Sequence, residues 1–376
     1  MTRAMRFWGI TGTNGKTTCT WIAAEMMRRA SYITTVEVWT GRRRFYSGYT
    51  TPPLAQLKEI YSEMVSSGMS DCVMEVSSHA IHQNRVDFCD TTLFSGGAFT
   101  NLSEDHLDYH KSMDEYFRVK LSFAERIAEG AEKLGTVPKY IVCLDGENGE
   151  RMFEASSKLP NLEVIPVSIK SPGYDLSQLK LVGDYNRSNA LVAAALAEAS
   201  GVPKPDIQRV IPTLSPRWGR LELVQCASKA DVYVDFAHTP DGLEKVLTAA
   251  RGFTKGCLWV VFGAGGDRDT RKRPLMGEVC ANLADHTVIT SDNPRSEEPE
   301  EIITDIIAGI PASARKRCHI EIERKSAIYY ALKNADSGDT VLICGKGHET
   351  TQEIMGVKYP FDDREIARTY PGGNAE

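Results

Sequence analysis

The stretch from Gly9 to Thr18 constrains this chain more than any other part of its sequence. It reads Gly-Ile-Thr-Gly-Thr-Asn-Gly-Lys-Thr-Thr, after a segment at 5–8 that predicts a short strand and before apolar positions with helical spacing at 20–27. A glycine-rich turn between a strand and a helix presents backbone N–H groups and a helix N-terminus to an anion with several oxygens. Lys16 adds a positive charge for phosphates, and Thr17 adds a hydroxyl for a magnesium ion. The stretch therefore predicts a nucleoside triphosphate site.

The loop differs from the usual phosphate-loop pattern in its spacing. Four free positions before Gly15-Lys16-Thr17 would require glycine at position 10, where the chain has Ile10. The alternative interpretation is a turn that only connects a strand to a helix, but the Gly-Lys-Thr-Thr ending favours phosphate binding. The residues predicted to bind the nucleotide are Gly12, Thr13, Asn14, Gly15, Lys16, Thr17 and Thr18.

The composition restricts the class of protein. With 376 residues, 42% apolar and 25% charged, the chain is expected to form two or three folded domains. A net charge of −6 offers no basic face for nucleic acid, and Arg42-Arg43-Arg44 is interpreted as a hairpin tip. The sequence has neither a long apolar run for membrane insertion nor a signal peptide, and its nine cysteines form no Cys-x-x-Cys pair. We expect a cytoplasmic enzyme with reduced thiols.

Predicted strands and helices alternate along the chain. Strands are predicted at 32–38 and 71–76, and helices at 54–66 and 113–127. This alternation predicts an α/β fold with a mostly parallel sheet, in which ligands bind at the carboxyl ends of the strands. Prolines after the predicted helices indicate a domain boundary near 211–216, which gives domains of residues 1–214 and 215–376.

Two polar clusters follow predicted strands in the first domain. Thr50 and Thr51 precede two prolines and a helix, so that Thr51 is either a helix N-cap or a ligand. Glu75 ends an apolar strand and is followed by Ser-Ser-His. Because burial of a bare carboxylate is costly, Glu75 is expected either to bind magnesium or to pair with an arginine such as Arg85.

A third cluster in that domain combines carboxylates, imidazoles and a lysine. The segment 100–110 reads Thr-Asn-Leu-Ser-Glu-Asp-His-Leu-Asp-Tyr-His, and Lys120 lies fourteen residues after His106 in a predicted helix. A single histidine is more often structural than catalytic. The density of polar groups after a strand end nevertheless predicts a catalytic site here.

Further polar groups follow strands in the second domain. Asp235 and His238 end one of them, either as ligands or as turn-forming residues. The glycines at 263–266 lack the remaining features of a dinucleotide fingerprint, so a Rossmann cofactor site is not expected. In Asp-Asn-Pro-Arg at 292–295 and Gly-Lys-Gly-His-Glu at 345–349, an arginine suits a carboxylate and the acidic residues suit ammonium groups. A surface ion pair is the alternative for the arginine.

Together these motifs resemble those of the Mur ligase family. Within the family they are similar to the MurE-type branch, which adds the third amino acid of the peptidoglycan stem peptide. The resemblance covers about residues 6 to 365 and implies a P-loop-type ATPase domain followed by a smaller Rossmann-like α/β domain. It is incomplete at Tyr185 and Phe236, where the family has Phe and Tyr, and between 141 and 183, where the chain is shorter than expected.

The resemblance also implies roles for individual residues. Glu75 and His106 are similar to the family's magnesium ligands and join Thr17 of the phosphate loop as predicted metal ligands. Lys120 matches a lysine that is carbamylated in the family, where the carbamate supports a second magnesium ion. Lys16, Lys120, His106 and Glu75 are the catalytic residues that it implies. Acceptor binding is implied for Thr50, Thr51, Ser78 and Arg85; nucleotide binding outside the loop for Asn186, Asn189, Arg220, Asp235 and His238; and amino-acid binding for Arg273, Asp292, Asn293, Arg295, Gly345 and Glu349. Asn186 and Asn189 are alternatively helix-cap residues.

The implied reaction is an ATP-dependent, ADP-forming ligation with magnesium, in two ions, as cofactor. An acceptor carboxylate is activated as an acyl phosphate and coupled to an amino acid. Asp-Asn-Pro-Arg is the variant associated with meso-diaminopimelate, which indicates peptidoglycan and cell-wall synthesis. The substrates are therefore small molecules, and no nucleic-acid partner is expected.

Several alternatives remain open at the level of sequence. Relatives of this branch carry a UDP-sugar-binding domain ahead of the phosphate loop, and this chain is expected to lack it because its loop begins at Gly9. The acceptor is then either the usual one or a small peptide or glutamyl carboxylate, and the chain is either a monomer or relies on a partner for acceptor recognition. Competing hypotheses are a folylpolyglutamate synthase, a catalytically idle binding subunit, and a P-loop motor or GTPase.

Overall fold

The structure, a computed structural model, describes residues 5–87, 94–107 and 109–372. The chain divides into two compact units, Met1–Ser215 and Pro216–Glu376. Each unit is built on its own sheet. Within the described ranges, no helix is long and apolar enough to cross a membrane. The eight cysteines of these ranges are free thiols, as predicted.

The sheet of the first unit has eight strands among the described residues. They are β1 (Arg6–Thr11), β2 (Ala30–Ile33), β3 (Val38–Trp39), β4 (Arg44–Phe45), β5 (Asp71–Glu75), β6 (Phe94–Phe99), β7 (Lys139–Cys143) and β8 (Glu163–Val167). Their spatial order is β4-β3-β2-β5-β1-β6-β7-β8. From β2 to β8 all neighbours run parallel, and β3 and β4 form an antiparallel extension at one edge. The predicted mostly parallel sheet is confirmed.

Helices cover this sheet. The strand predicted at 32–38 is shorter than expected. The helices are α1 (Lys16–Met26), α2 (Leu54–Ser66), α3 (Ser78–His82), α4 (Met113–Glu129), α5 (Ala131–Leu134), α6 (Gly149–Ser156), α7 (Asp184–Ala199) and α8 (Lys204–Val210). The strand predicted at 32–38 is broken by a turn in which Thr34 N–H donates to the Glu37 carbonyl and Thr34 Oγ1 accepts from the Glu37 N–H. The turn reverses the chain into β3. Arg42 and Arg43 lie at the tip of the next hairpin, between β3 and β4, as predicted.

The centre of the first sheet explains how α4 comes to lie over the phosphate loop. Gly9 on β1 and Gly97 on β6 leave room for the ring of Phe123, which would overlap with a side chain at position 9. Phe123 is fully buried in the core together with Phe94 and Ile127. Because Lys120 lies three residues, or about one helical turn, before Phe123, this packing directs its side chain towards the loop that follows β1.

The second unit contains a six-stranded sheet and a separate hairpin. The strands are β9 (Glu222–Val224), β10 (Asp231–Asp235), β11 (Leu258–Phe262), β12 (His286–Ile289), β13 (Cys318–Ile320) and β14 (Thr340–Cys344), with β15 (Thr351–Ile354) and β16 (Val357–Pro360) in the hairpin. The order is β13-β12-β11-β14-β10-β9, and only β9 is antiparallel to its neighbour. The helices are α9 (Pro240–Arg251), α10 (Lys272–Leu283), α11 (Pro299–Ala308), α12 (Arg324–Asn334) and α13 (Asp363–Arg368).

In both units, the polar motifs emerge where parallel strands end. In the first, Ile10 of β1 is in register with Glu75 of β5, and Thr11 with Phe99 of β6. In the second, Asp235 of β10 is in register with Cys344 of β14. Each sheet therefore collects side chains from distant parts of the sequence at one edge, as parallel α/β sheets do at their ligand sites.

Candidate active site

The phosphate loop is shaped by two glycines that approach other parts of the first unit closely. Gly12 has φ +150° and Gly15 has φ +84°, conformations that L side chains rarely adopt. A side chain at position 12 would overlap with Thr100, and one at position 15 would overlap with Asn189. The loop therefore needs glycine at both positions to reach the N-terminus of α1.

The segment that follows β6 fixes the loop through hydrogen bonds. Thr13 N–H donates to the Asn101 carbonyl at 2.9 Å, and Asn14 N–H donates to Asn101 Oδ1 at 3.0 Å. Thr100 Oγ1 donates to the Asn14 carbonyl at 2.7 Å, and Thr13 Oγ1 accepts from the Ser103 N–H at 3.1 Å. The Thr-Asn-Leu-Ser segment thus supports the predicted nucleotide loop.

Two lysines converge on one carbonyl of the loop. Lys16 Nζ donates to the carbonyls of Gly12 at 2.9 Å and Thr13 at 2.8 Å. Lys120 Nζ donates to the Gly12 carbonyl at 2.9 Å and lies 4.6 Å from the ring centroid of Tyr116. Only 1% of Lys120 is exposed. Burial, with a smaller contribution from the charge of Lys16, holds the pKa of Lys120 well below its ordinary value.

Glu75 is buried at the end of β5, and its carboxylate is satisfied by a neutral partner. Oε1 accepts from the Thr35 N–H at 2.7 Å, and Oε2 accepts from Thr35 Oγ1 at 3.1 Å. Thr35 Oγ1 also contacts Thr50 Oγ1 at 3.0 Å. Thr51 Oγ1 donates to the Glu75 carbonyl at 2.8 Å and accepts from the Ser77 N–H at 3.1 Å. Glu75, Thr50 and Thr51 therefore belong to one hydrogen-bonded cluster.

Ser78 and Arg85 lie beside this cluster. Arg85 Nη1 donates to the Thr51 carbonyl at 2.6 Å, so the ion pair with Glu75 considered from the sequence is not the arrangement observed. Burial lowers the pKa of Arg85. Ser78 Oγ is hydrogen-bonded to His110 Nε2 at 2.9 Å, and the His110 ring stacks on Tyr116 with centroids 4.9 Å apart.

His106 occupies a left-handed backbone position between the loop and α3. Its φ is +55°, and its Nε2 lies 3.4 Å from Asp105 Oδ2. Burial lowers the pKa of His106 to about 4, so the imidazole is neutral at pH 7 and has a nitrogen lone pair. His79 packs edge-on against it with centroids 5.1 Å apart. Asp108 of the same motif lies outside the described residues.

The remaining nucleotide candidates of the first unit lie on two helices. Thr17 and Thr18 lie in the first turn of α1 and are buried. Asn186 and Asn189 are buried near the start of α7, and Asn189 Nδ2 contacts Asn186 Oδ1 at 3.4 Å. Cys19 Sγ donates to Asn189 Oδ1 at 3.4 Å, which ties α7 to the helix behind the phosphate loop.

In the second unit, Asp235 supports the chain around it. Its Oδ2 accepts from the Leu221 N–H and its Oδ1 from the Ala237 N–H, both at 2.7 Å. Burial raises the pKa of Asp235, while the nearby Arg220 opposes that shift. Arg220 stacks on Phe236 at 4.6 Å, and His238 Nδ1 lies 2.8 Å from the Phe236 carbonyl. Arg220, Asp235 and His238 are therefore gathered around one turn after β10.

Residues predicted to bind an amino acid converge beyond β12 and β14. Asn293 Nδ2 donates to Glu349 Oε2 at 2.8 Å. Gly345 has φ +116°, and a side chain there would overlap with the carboxylate of Asp292. Lys346 is completely buried, and its Nζ donates to Asn293 Oδ1 and Glu349 Oε2, both at 3.0 Å. Two motifs that are separated by some fifty residues thus form one polar cluster, which we call the β12–β14 pocket.

The two predicted arginines of this region differ in their surroundings. Arg295 has φ +53°, its Nη1 donates to the Gly266 carbonyl at 2.6 Å, and its side chain remains 23% exposed. Arg273 is 2% exposed and is held by Glu297 at 2.8 Å and Asp305 at 2.9 Å. Arg273 is thus a buried guanidinium already paired with two partly exposed carboxylates, whereas Arg295 is accessible to a ligand.

Comparison with known proteins places the chain in a family. Two family models match it, the Mur ligase middle domain at residues 10–179 and the Mur ligase glutamate ligase domain at residues 219–347. The chain belongs to the Mur ligase family. Enzymes of this family are ATP-dependent ligases that use Mg²⁺, and the predictions of family, fold class and enzyme class are confirmed.

Individual relatives of this Mur ligase cover nearly all of it. It is 39% identical to the UDP-N-acetylmuramoyl-L-alanyl-D-glutamate–2,6-diaminopimelate ligase of Bacillus licheniformis, over 98% of this chain and 78% of the relative. The ligase of the same name from Geobacillus thermodenitrificans is 40% identical over 98% and 79%. A solved structure of a ligase of that name matches with a TM-score of 0.62 and 30% identity, over 98% of this chain and 78% of the other. A Mycobacterium tuberculosis folylpolyglutamate synthase, 16% identical with a TM-score of 0.61, shares the fold.

The donor atoms near the phosphate loop of this Mur ligase fit Mg²⁺. Mg²⁺ in nucleotide sites is bound by one or two protein oxygens and completes its octahedron with phosphates and water. Thr17 supplies a hydroxyl, and Glu75 supplies a buried carboxylate at the neighbouring strand end. In the described part of the chain, no group of three or more His, Cys, Asp or Glu side chains could hold a metal ion by itself. The protein therefore offers a partial set of hard ligands, as a nucleotide-associated site does.

Sequence reasoning missed three residues that organise these sites. Thr35 satisfies the Glu75 carboxylate, and nothing in its local sequence indicates that role. Lys346 lies within the glycine-rich motif at 345–349, where a lysine among buried residues was a usable signal. Arg324 is 1% exposed and donates to the carbonyls of Ser291 and Cys344, directly before the two halves of the β12–β14 pocket.

Proposed function

We propose that this chain is an ATP-dependent ligase that joins 2,6-diaminopimelate to the free carboxylate of UDP-N-acetylmuramoyl-L-alanyl-D-glutamate. The observation that carries the proposal is the charge pattern of the β12–β14 pocket. Asp292 and Glu349 are negative, and Lys346 and Arg295 are positive. Beside the two carboxylates, the partly exposed Arg295 suits a ligand end that carries both an ammonium and a carboxylate. Diaminopimelate has such an end beyond its reacting amine, whereas lysine ends in an ammonium alone.

Similarity to relatives supports the same substrates. Proteins named as 2,6-diaminopimelate ligases are 38–40% identical to almost the whole chain. Their names state the acceptor and the amino acid that we propose. A cellular role in peptidoglycan stem-peptide synthesis follows from that pair of substrates.

Amide formation from a carboxylate requires an activated leaving group. We propose that an acceptor carboxylate oxygen attacks the γ-phosphorus of ATP, which forms an acyl phosphate and releases ADP. The reacting amine then attacks the acyl carbon; the amide bond forms, phosphate leaves and the ammonium loses a proton. Lys16 supplies positive charge as the phosphoryl group moves, and the N-terminus of α1 binds phosphate oxygens.

We expect Lys16 to change hydrogen-bond partners when ATP binds. Its Nζ donates to the Gly12 and Thr13 carbonyls. We expect it to exchange these acceptors for phosphate oxygens, because a charged acceptor makes the stronger hydrogen bond. Thr17, Glu75 and His106 are the residues that would hold Mg²⁺, which supplies Lewis-acid neutralisation of the phosphate charge.

Lys120 has the properties needed for carbamylation. Its amine is buried, and burial lowers its pKa well below the ordinary value, which favours the neutral nitrogen that carbamylation requires. That nitrogen attacks carbon dioxide, an N–C bond forms and a proton passes to water. The product is a carboxylate in place of an amine, which offers a further oxygen ligand for Mg²⁺ near the phosphate loop.

An amino-acid panel tests the proposal. Phosphate release is measured with ATP, Mg²⁺ and UDP-N-acetylmuramoyl-L-alanyl-D-glutamate, in the presence of diaminopimelate, lysine, ornithine or no amino acid. We expect release that depends on diaminopimelate. Turnover with lysine in preference to diaminopimelate would contradict the charge argument. The assay is then repeated with a γ-glutamyl or dipeptide carboxylate as acceptor, and turnover only with such a smaller acceptor would contradict the proposed acceptor.

A further inference from the structure

The hairpin β15–β16 is the support of the loop that carries Asp292, Asn293 and Arg295. Gln352 Nε2 donates to the Asp292 carbonyl at 2.7 Å, and Glu353 N–H donates to Asn293 Oδ1 at 2.9 Å. Arg295 N–H donates to the Glu353 carbonyl at 3.0 Å, and the Arg295 carbonyl accepts from Met355 N–H at 2.6 Å. The hairpin thus holds the loop through both backbone and side-chain groups, and the four residues of β16 are exposed.

One side chain of this hairpin bears directly on Arg295. Glu353 Oε2 lies 3.8 Å from Arg295 Nε, and the two side chains are 31% and 23% exposed. Both therefore remain accessible to solvent and to a ligand. Lys358 is the register partner of Glu353 across the hairpin and is exposed, so water screens its charge.

Glu353 adds a fifth charge beside the four of the β12–β14 pocket. A carboxylate next to Arg295 partly neutralises the guanidinium that would bind a ligand carboxylate. When that ligand carboxylate arrives, two negative groups share one arginine and repel each other. An amino acid that lacks the distal carboxylate does not meet this repulsion, and its ammonium is attracted to Glu353.

We infer that Glu353 is a specificity-determining residue that competes with the distal carboxylate of the amino-acid substrate for Arg295. The inference rests on the proposed function, because it assumes that Arg295 binds that carboxylate. Glu353 lowers the selectivity for diaminopimelate over lysine and raises the KM for diaminopimelate. Glu353 acts by its charge, so its effect on KM disappears when Arg295 is replaced by a neutral residue.

The test compares four variants of the full chain: Glu353→Gln, Arg295→Gln, the double variant of both, and Glu244→Gln as a control. Glu244 is exposed on α9 in the same unit and undergoes the same change of charge. KM and kcat are measured for diaminopimelate, and lysine is measured as a competitor. Because exposed ion pairs are modest in strength, Glu353→Gln is expected to lower the KM for diaminopimelate about three- to fivefold, with the change confined mainly to KM. Lysine is expected to compete less well, and Glu244→Gln to leave both constants at the wild-type values.

The double variant separates charge competition from a structural role. In the Arg295→Gln background, Glu353→Gln is expected to change the KM for diaminopimelate by less than about twofold, since the coupling requires both charges. An unchanged or higher KM in Glu353→Gln, or the same decrease in the Arg295→Gln background, would overturn the inference while wild-type turnover with diaminopimelate upheld the proposed function. A wild-type enzyme without diaminopimelate-dependent turnover would overturn the proposed function and, with it, this inference.

Discussion

At the residue scale, the two lysines above the phosphate loop differ in their surroundings. Lys16 begins α1, and we propose that it neutralises phosphate charge. Lys120 is buried against Tyr116, and burial lowers its pKa well below the ordinary value. The proposed function assigns anion binding to Lys16 and carbamylation to Lys120.

Replacement of either lysine is expected to abolish turnover. Lys16→Ala removes the charge that we propose to stabilise phosphoryl transfer, and Lys120→Ala removes the amine that we propose to be carbamylated. The loss expected for each is at least about a hundredfold in kcat, the scale on which removal of one transition-state contact acts. A phosphate-release assay measures it, with the exposed Lys170→Ala as control. Full activity of either variant would refute its assignment to the site.

His348 is expected to make the protein sensitive to acid. Burial, reinforced by Arg220 and Arg364, lowers the pKa of His348 to about 3, and its Nδ1 forms no hydrogen bond within the described residues. As the pH falls through the ordinary pKa of histidine, His348 takes up a proton in the unfolded chain but not in the folded chain. The contribution of neutral His348 to the free energy of unfolding is therefore fully present above that pKa and is lost as the pH falls towards about 3.

The corresponding prediction concerns the slope of stability against pH. Between about pH 6 and pH 4, His348→Gln is expected to lose less free energy of unfolding than the wild type, by up to about 1.4 kcal/mol per pH unit. Urea denaturation at a series of pH values measures the slope. Identical slopes for the two proteins would mean that His348 is protonated in the folded state.

At the scale of elements, the packing of α4 on β1 places Lys120 over the phosphate loop. The ring of Phe123 occupies the space left by Gly9 and Gly97. Gly9→Ala is expected to cost about 1–3 kcal/mol in the free energy of unfolding, because a methyl group there overlaps with the ring in a packed core. Urea denaturation measures the cost. Gly173→Ala, with open space around its Cβ, is the control, and an equal effect at both positions would contradict the packing account.

The buried pair Arg324–Asp363 joins α12, α13 and the strand ends behind the β12–β14 pocket. Both side chains are 0% exposed, and Arg324 Nη2 lies 2.8 Å from Asp363 Oδ2. Asp363→Asn is expected to destabilise the second unit by about 3–5 kcal/mol, since it leaves a buried guanidinium without its counter-charge. Asp336→Asn breaks the exposed pair with Lys229 and is expected to cost less than about 1 kcal/mol. Equal losses in chemical denaturation would show that burial of the pair is unimportant.

The elements also show what the sequence can predict. The helix predicted at 54–66 is observed with the same bounds, because its apolar positions follow helical spacing closely. The strand predicted at 32–38 is wrong because the turn at Thr34 depends on a side-chain hydrogen bond that periodicity does not reveal. Local pattern therefore predicts elements that bury one face, but it missed the reversal of the chain at Thr34.

In the candidate sites too, local sequence motifs could be predicted and contacts between distant segments could not. Motif residues could be named because glycine-rich loops and strand ends have recognisable sequences. Partners from distant segments could not: Thr35 on Glu75 and Glu353 beside Arg295 are brought there by tertiary structure. Arg273 was predicted in the amino-acid pocket, and its ion pairs with Glu297 and Asp305 were not visible from the motif. The roles of these residues remain predictions until variants are measured.

At the scale of the whole molecule, each unit contributes one half of the proposed reaction. The first unit carries the phosphate loop, Glu75 and Lys120, and the second carries the β12–β14 pocket with Arg295. Ligation needs both sets of groups. We therefore expect activity only from a chain that contains both units, and the decisive assay uses the full chain.

The most direct test follows the oxygen atoms of the acceptor. UDP-N-acetylmuramoyl-L-alanyl-D-glutamate labelled with ¹⁸O in its reacting carboxylate is incubated with ATP, Mg²⁺, diaminopimelate and the full chain, and the products are analysed by mass spectrometry. We predict an amide product that contains diaminopimelate and inorganic phosphate that carries one ¹⁸O from the acceptor. Phosphate without label, or ATP consumption without an amide product, would contradict the proposed ligase.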